Sequence, residues 1–213
     1  MIQRIIFAAL LVAFQVSAPE RVVRENVIIS DHDPKLQIQL PKQFRYLGAD
    51  RWDLYGIADC ELHAFVEDLP DKKVGRLYWV QFEGYLPTKP DLVHQYDSPV
   101  HTTIAGMDFF VDTYVRAKDE KDRPGSDREH IEQLIRSKGY SMPEGMMYVR
   151  LVHLLDNTKR KELMIIYGED LAPLGYKPVD LVKGGKDYDR WPAVSKALVE
   201  RAQAGITIAD VSP

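Results

Sequence analysis

The sequence contains one cysteine, Cys60, and this scarcity excludes two classes of protein. A small secreted fold stapled by disulfide bonds requires cysteine pairs, and a cysteine-based zinc site requires several cysteine ligands. The chain must instead be held together by burial of apolar side chains, and hydrophobic residues make up 45% of it, a normal supply for a core. Cys60 lies between Ala58 and Leu62 in an alternating stretch, so we predict a small buried side chain and not a nucleophile.

Sequence motifs of the common enzyme classes are missing as well. No glycine-rich phosphate loop, Gly-x-Ser-x-Gly elbow, helical His-x-x-x-His pair or calcium-loop spacing occurs in the chain. Lysines and arginines form no block, and the formal net charge is −4, so nucleic acid is not an expected partner. The apolar run of residues 5–14 is about half as long as a bilayer-spanning helix, so we expect no stable membrane span.

The first residues have the three-part layout of a secretory signal peptide. One arginine supplies a positive charge, residues 5–14 are apolar, and short side chains occupy the third and the first position before a cut after Ala18. Pro19 would follow that cut and is a poor fit to a signal peptidase, so the cleavage position stays open. The alternative is an apolar first strand or helix of the domain. We predict a signal peptide over residues 1–18 and a single domain over residues 19–213, exported to the periplasm or the extracellular space.

The spacing of apolar residues predicts a mixed fold of strands and helices. Alternation of apolar and polar residues predicts strands over residues 36–40, 52–66, 75–86, 102–116, 146–155 and 162–167. A capping box that starts at Ser126 begins one helix, and a second helix is predicted from about 191 to 204. Helices do not alternate with strands, so we predict an α+β fold in which a curved, mainly antiparallel β-sheet is covered by two main helices. A cross-strand ion pair is expected between Arg150 and Glu162.

Four polar residues on the predicted strands are candidates for catalysis. Glu61 and His63 share one strand face, while Glu83 and His153 lie on two later strands. If these side chains met on the concave side of the sheet, they could bind a divalent metal ion or act as acid and base. The alternative is that they are solvent-facing positions of a half-exposed sheet, because the sequence does not specify the strand order.

A second set of residues is a candidate for ligand binding. Trp79, Gln81 and Tyr85 share one face of a strand, and a purely dry core face would not carry Gln81 with its neighbour Glu83. Tyr96 lies in the loop that follows. We expect these residues to line one enclosed cavity for an apolar or aromatic-compatible ligand, and the alternative is simple core packing.

The same loop supplies candidates for a metal site. His94, Asp97 and His101 lie within eight positions of one another and could ligate a metal ion at the mouth of a pocket. The alternative is a pair of isolated surface histidines. No particular cofactor is indicated by the sequence.

The sequence supports three hypotheses for function. The first is an exported, non-enzymatic module that binds a small-molecule or protein ligand with its sheet and loops. The second is a small extracytoplasmic hydrolase assisted by a metal ion or by carboxylates. The third is a structural envelope protein without a pocket, which would show a large exposed apolar patch or a stable oligomer.

Overall fold

Residues 18–211 are described by a computed structural model of the chain. The predicted signal peptide therefore lies outside the described residues except for Ala18, and so do the last two residues of the predicted domain. The strands within the described part are β1 (Val22–Arg24), β2 (Val27–Ser30), β3 (Leu36–Gln39), β4 (Arg45–Leu54), β5 (Ala58–Leu69), β6 (Lys73–Tyr85), β7 (Val100–Ile104), β8 (Met107–Ala117), β9 (Gly145–Leu154), β10 (Lys161–Asp170) and β11 (Thr207–Ala209). The α-helices are α1 (Asp127–Ser137), α2 (Pro178–Leu181) and α3 (Trp191–Ala204).

The strands form two antiparallel sheets. The large sheet has seven strands in the order β4-β5-β6-β10-β9-β8-β7, and the small sheet has four strands in the order β1-β2-β3-β11. Strand β10 pairs with β9 on one side and with β6 on the other. Because β6 precedes α1 in the chain and β10 follows it, the pairing of β6 with β10 joins distant parts of the sequence. This long-range pairing decides which side chains of β6 and β10 meet.

Both faces of the large sheet are buried. The first face packs against the small sheet and α3, and their shared core includes Phe65, Tyr78, Ile165, Ile38 and Leu198. The second face packs against α1, and its core includes Leu62, Trp79, Ile166, Ile131 and Ile135. Because successive residues of a strand point to opposite faces, a polar residue in the middle of these strands is buried on either face. The expectation of a half-exposed sheet therefore does not apply to its central strands.

Local signals explain where the two longer helices begin and what they cover. Helix α1 starts at the expected cap, where the Ser126 hydroxyl accepts a hydrogen bond of 3.4 Å from the Glu129 amide. Helix α3 carries Pro192 in its first turn, where a missing amide hydrogen has no cost. The Tyr78 hydroxyl donates a 2.9 Å hydrogen bond to the Ala202 carbonyl and so joins α3 to the first face. Among the described residues, no helix is long and apolar enough to cross a membrane.

The α+β class and the antiparallel pairing are confirmed, but the strands form two sheets where one was expected. The single strands predicted over 52–66 and over 102–116 are wrong, because each range contains a hairpin: β4 ends at Leu54 and β5 begins at Ala58, and β7 ends at Ile104 and β8 begins at Met107. Tyr55 and Gly56 adopt left-handed backbone conformations, with φ of 56° and 70°, and form the turn of a hairpin. The apolar alternation continues through this turn, so the pattern alone does not reveal it.

Candidate functional site

A row of polar side chains crosses the second face of the large sheet. In the strand register, Cys60 of β5 lies opposite Glu83 of β6, and Glu83 lies opposite Glu162 of β10. Side chains directly opposite each other on antiparallel strands have Cβ atoms about 5 Å apart. Glu162 is only 3% exposed and Glu83 is half-buried, so two carboxylates face each other with limited access to water. Like charges in such a pair destabilise a sheet, so packing does not explain this row.

The loop of residues 86–99 places two more polar side chains over this row. His94 Nδ1 lies 3.0 Å from Glu162 Oε2, and the Tyr96 hydroxyl donates a hydrogen bond of 2.6 Å to the same oxygen. The His94 ring also stacks on Tyr85, with 4.3 Å between the ring centroids. His94 is buried, and its Nε2 has no hydrogen-bond partner among the described residues. Because buried polar atoms normally have partners, His94 is a candidate to contact a bound species.

Helix α1 adds a third carboxylate at its first residue, Asp127. The ligand atoms of Cys60, Glu83 and Asp127 lie within 4.8 Å of one another, and so do those of Glu83, His94 and Glu162. Glu83 is common to both groups. These residues and their hydrogen-bond partners, hereafter the polar cluster, are Cys60, Gln81, Glu83, His94, Tyr96, Asp127 and Glu162.

Burial and mutual repulsion change the acidity of the polar cluster. Burial raises the pKa of Glu83 to about 7, and the nearby Glu162 and Asp127 carboxylates add to this increase. Burial likewise raises the pKa of Asp127, and burial together with the charge of Glu83 raises the pKa of the Cys60 thiol. Among residues 18–211, no lysine or arginine forms a salt bridge with any of the three carboxylates. The polar cluster is short of positive charge, a condition that a proton or a bound cation relieves.

A chain of hydrogen bonds runs along β6 and ends at Glu83. Trp79 Nε1 donates to Gln81 Oε1 at 2.9 Å, and Gln81 Nε2 donates to Glu83 Oε2 at 3.1 Å. Trp79 and Asp127 line a cavity of about 200 Å³. Tyr85 and Glu83 are part of the wall of a separate cavity of about 310 Å³, which is formed mainly by residues on the side of Glu61 and Phe82. The residues predicted to bind a ligand thus lie along one face of β6 and in the loop beside it, but Trp79 and Tyr85 border two cavities and not one.

The four residues predicted for catalysis do not meet. Glu61 and His63 contact each other on the first face, with 2.9 Å between Glu61 Oε1 and His63 Nε2. Glu83 lies on the second face, and His153 contacts a backbone carbonyl of β8 at 2.9 Å. The expected convergence is wrong because Glu61 lies opposite Phe82 in the hairpin register, which places Glu83 on the other face.

Glu61 and His63 instead belong to a fully paired network. The Glu61 carboxylate accepts hydrogen bonds from the Glu20 and Arg21 amides at 2.8 and 2.9 Å, and from the Arg21 guanidinium at 3.1 Å. The Tyr46 hydroxyl lies 3.1 Å from His63 Nδ1, and burial raises the pKa of Tyr46 to about 12. Both oxygens of Glu61 and both ring nitrogens of His63 are thus engaged. The network fastens the chain at Glu20 and Arg21 to strand β5.

Of the three residues predicted to ligate a metal ion, only His94 joins the polar cluster. Asp97 and His101 are exposed and belong to neither ligand group. The two histidines were expected to act together because they are close in sequence. His101 lies on β7 at the far end of the sheet order from β4, and its ring packs near Phe110, with 4.7 Å between centroids.

Three members of the polar cluster carry no distinctive signal in the sequence: Cys60, Asp127 and Glu162. The expected ion pair between Glu162 and Arg150 is wrong, because Arg150 donates a 2.7 Å hydrogen bond to Asp112. Asp127 directly follows a helix N-cap, where acidic residues are common for electrostatic reasons alone. Only the order of the strands brings these side chains together.

A larger cleft of about 710 Å³ lies elsewhere, between the ends of β5, β6 and β10 and helix α3. Its charged side chains neutralise one another, with 2.6 Å between Arg76 and Glu67 and 2.7 Å between Arg201 and Glu169. Most of its remaining wall is apolar. Its other two acidic residues are Asp170, which pairs with Lys73 at 2.9 Å, and the exposed Asp68. The cleft holds no histidine or cysteine among its described lining residues, so the polar cluster is the better candidate for a functional site.

Arg160 holds the loop of residues 86–99 in place over the polar cluster. Its guanidinium donates hydrogen bonds of 2.7–3.3 Å to the backbone carbonyls of Tyr85, Leu86, Lys89, Pro90 and Leu92. The neighbouring Lys159 carbonyl accepts a 2.7 Å hydrogen bond from the His94 amide. Residues 159–160 therefore position the histidine of the polar cluster.

We expect Arg160→Lys to loosen this loop, because an ammonium group cannot reach five carbonyls at once. Amide hydrogen exchange at His94 should accelerate at least about tenfold. Arg136→Lys is the matched control, since Arg136 forms an exposed helical pair with Glu132, and it should leave this exchange unchanged. Unchanged exchange in Arg160→Lys would mean that packing alone holds the loop.

Comparison with models of protein families, with curated proteins and with solved structures gives no match to this chain. The polar cluster is therefore the feature of the chain that bears on its function. The relevant chemistry is that of an imidazole between two carboxylates, with a thiol and a third carboxylate beside them.

Proposed function

We propose that the polar cluster binds a divalent metal ion, with Glu83, His94 and Glu162 as ligands. The observation that carries this proposal is the cross-strand pairing of Glu83 with Glu162, with His94 beside both. Two facing carboxylates without a lysine or arginine partner among the described residues cost stability. A bound cation converts that repulsion into coordination. Facing like charges without a compensating partner break the usual rules of protein stability, and such exceptions are characteristic of functional sites.

The donor set favours a first-row transition metal over calcium or magnesium. Imidazole suits zinc, iron and copper, whereas Ca²⁺ and Mg²⁺ are bound mainly by oxygen. Gln81 donates to Glu83 and Tyr96 donates to Glu162, so each carboxylate is oriented by a further hydrogen bond, as is usual for metal ligands. Three nitrogen and oxygen ligands fit Zn²⁺ with one coordination position left open.

Calorimetric titration of the purified full chain with ZnCl₂ tests this proposal. We expect saturable binding of Zn²⁺ that is about 100-fold or more tighter than binding of Ca²⁺ or Mg²⁺. His94→Gln should weaken Zn²⁺ binding by a similar factor, because it removes the nitrogen ligand. His101→Gln is the matched control and should bind Zn²⁺ as the unaltered protein does, since His101 is exposed and outside both ligand groups. Equal affinities of His94→Gln and the unaltered protein would contradict the proposal.

A second candidate function is metal-assisted hydrolysis at the same residues. Three protein ligands leave room for a water molecule, whose pKa a zinc ion lowers to about 7. The cavity of about 200 Å³ lined by Trp79 and Asp127 lies on the same face of the sheet as the polar cluster and provides space beside it. Turnover of a chromogenic ester or phosphoester by the zinc-loaded protein, lost in Glu83→Gln, would favour this candidate over binding alone.

We also propose that the protein acts outside the cytoplasm, as the pattern of residues 1–18 indicates. The state of the lone cysteine is compatible with this location. Cys60 is a free, buried thiol, so the fold neither needs a disulfide bond nor exposes a thiol that an oxidising compartment would attack.

A further inference from the structure

The two ligand groups of the polar cluster meet at one carboxylate, that of Glu83. One group extends from Glu83 to His94 and Glu162, and the other extends from Glu83 to Cys60 and Asp127. Glu162 lies on β10 and Cys60 lies on β5, and these strands flank β6 on opposite sides. The two sets of donors therefore approach Glu83 from opposite directions.

We propose that the polar cluster holds two divalent cations bridged by Glu83, with Cys60 and Asp127 as the ligands of the second cation. This inference rests on the proposed function, because the site of Glu83, His94 and Glu162 is taken as the first position. A carboxylate has two oxygens, and paired metal ions about 3.5–4 Å apart occur in many metal centres. A glutamate with donors on both sides fits such a bridge.

The charge of the polar cluster supports two cations. The ligands are three carboxylates and, once a metal ion has displaced the proton of Cys60, one thiolate; one divalent cation neutralises half of the formal charge of that set. Within residues 18–211, no lysine or arginine forms a salt bridge with the three carboxylates, and the partner of Glu162 is the imidazole of His94. A second divalent cation brings the cluster to neutrality, which a buried site strongly favours.

Each of the two groups contains a buried atom without a partner. His94 Nε2 and Asp127 Oδ1 have no hydrogen-bond partner among the described residues. His94 is 5% exposed, so its ring nitrogen has little access to bulk water. Interior polar atoms are nearly always satisfied, and an orphan atom in each group points to a ligand at each position.

The thiol makes the second position chemically distinct from the first. Thiolate ligands select soft or borderline cations such as Zn²⁺ and Cd²⁺ and disfavour Ca²⁺ and Mg²⁺. As the metal–sulfur bond forms, the proton of Cys60 Sγ leaves to solvent, so occupation of this position releases one proton. The first position, which lacks a thiol, has no such requirement.

Titration of the full chain with Cd²⁺, followed by ultraviolet absorption, tests the inference. Cadmium–thiolate bonds give a charge-transfer band, and Cys60 is the one cysteine of the chain, so the band reports the second position alone. We expect two equivalents of Cd²⁺ per chain, with the band developing during one of them. Cys60→Ser should bind one equivalent and show no band.

The possible outcomes separate this inference from the proposed function. If the chain binds one equivalent of Cd²⁺ without the band, and Cys60→Ser binds the same amount, the second metal position is overturned and the first remains in place. No saturable binding overturns both. Two equivalents without the band place the second ion away from Cys60 and also overturn the inference. If Cys60→Ser does not fold, Asp127→Asn is used as the second test variant. Binding of one equivalent of Cd²⁺ by Asp127→Asn supports the inference, and binding of two equivalents with the full band overturns it.

Discussion

Replacing Glu83 by glutamine should stabilise the metal-free protein above pH 7 and abolish its metal binding. The pKa of Glu83 is about 7 in the fold, against an ordinary value of 4.5. Between these values the folded chain keeps a proton that the unfolded chain gives up, so stability falls as the pH rises through this window. A difference of this size corresponds to roughly 3 kcal/mol above pH 7. Glutamine is neutral and can still accept the hydrogen bond from Gln81.

Thermal unfolding in the presence of EDTA measures this effect. At pH 8 the melting temperature of Glu83→Gln should exceed that of the unaltered protein by roughly 5–10 °C. At pH 4 both side chains are uncharged, so the difference should vanish. Glu144→Gln is the matched control, because the Glu144 side chain is 88% exposed, and its effect should stay below about 2 °C at either pH. A Glu83→Gln protein that melts lower at pH 8, or that still binds Zn²⁺, would contradict the proposed role.

Side chains that share a face of one strand can be predicted from the sequence. Trp79, Gln81 and Glu83 alternate along β6, and the structure joins them by hydrogen bonds. Two polar residues on an otherwise aromatic face were the signal that pointed to this region. Such a prediction succeeds because the two-residue period belongs to the backbone of a single strand and does not depend on its neighbours.

Side chains on different strands cannot be grouped by the same reasoning. Glu61 and Glu83 lie on directly paired strands, yet a difference of one residue in register places them on opposite faces. Glu162 meets Glu83 only because β10 inserts between β6 and β9. His94 reaches the polar cluster because Arg160 holds its loop through backbone carbonyls, a contact that no sequence pattern encodes.

The small sheet was missed for a related reason. Strands β1 and β11 have three residues each, which is too short for alternation to be recognised. Strand β11 follows the last helix and pairs with β3, near the other end of the described chain. Because these short strands pair over long distances in the chain, the structure has two sheets where the sequence predicts one.

Glu61→Ala should destabilise the fold by about 3–5 kcal/mol, because it leaves the buried Arg21 and His63 side chains without their acceptor. Burial alone would raise the pKa of Glu61, but hydrogen bonds from His63 and from the Glu20 and Arg21 amides outweigh it and lower the pKa to about 2. The stabilisation by Glu61 is thus complete above its ordinary pKa of 4.5 and is lost as the pH falls towards 2. Chemical denaturation at pH 7 and at pH 2.5 should show a smaller difference between Glu61→Ala and the unaltered protein at the lower pH.

Asp59→Ala is the matched control for Glu61. Asp59 lies on the same face of the same strand and pairs with Arg51 at 2.6 Å, but its side chain is 44% exposed, so its loss should cost less than about 1 kcal/mol. Both variants, studied below their unfolding temperatures, should bind Zn²⁺ as the unaltered protein does, because the first face carries none of the proposed ligands. If folded Glu61→Ala failed to bind Zn²⁺, the Glu61–His63 network would act on the metal site, and its role would extend beyond fastening Glu20 and Arg21 to the sheet.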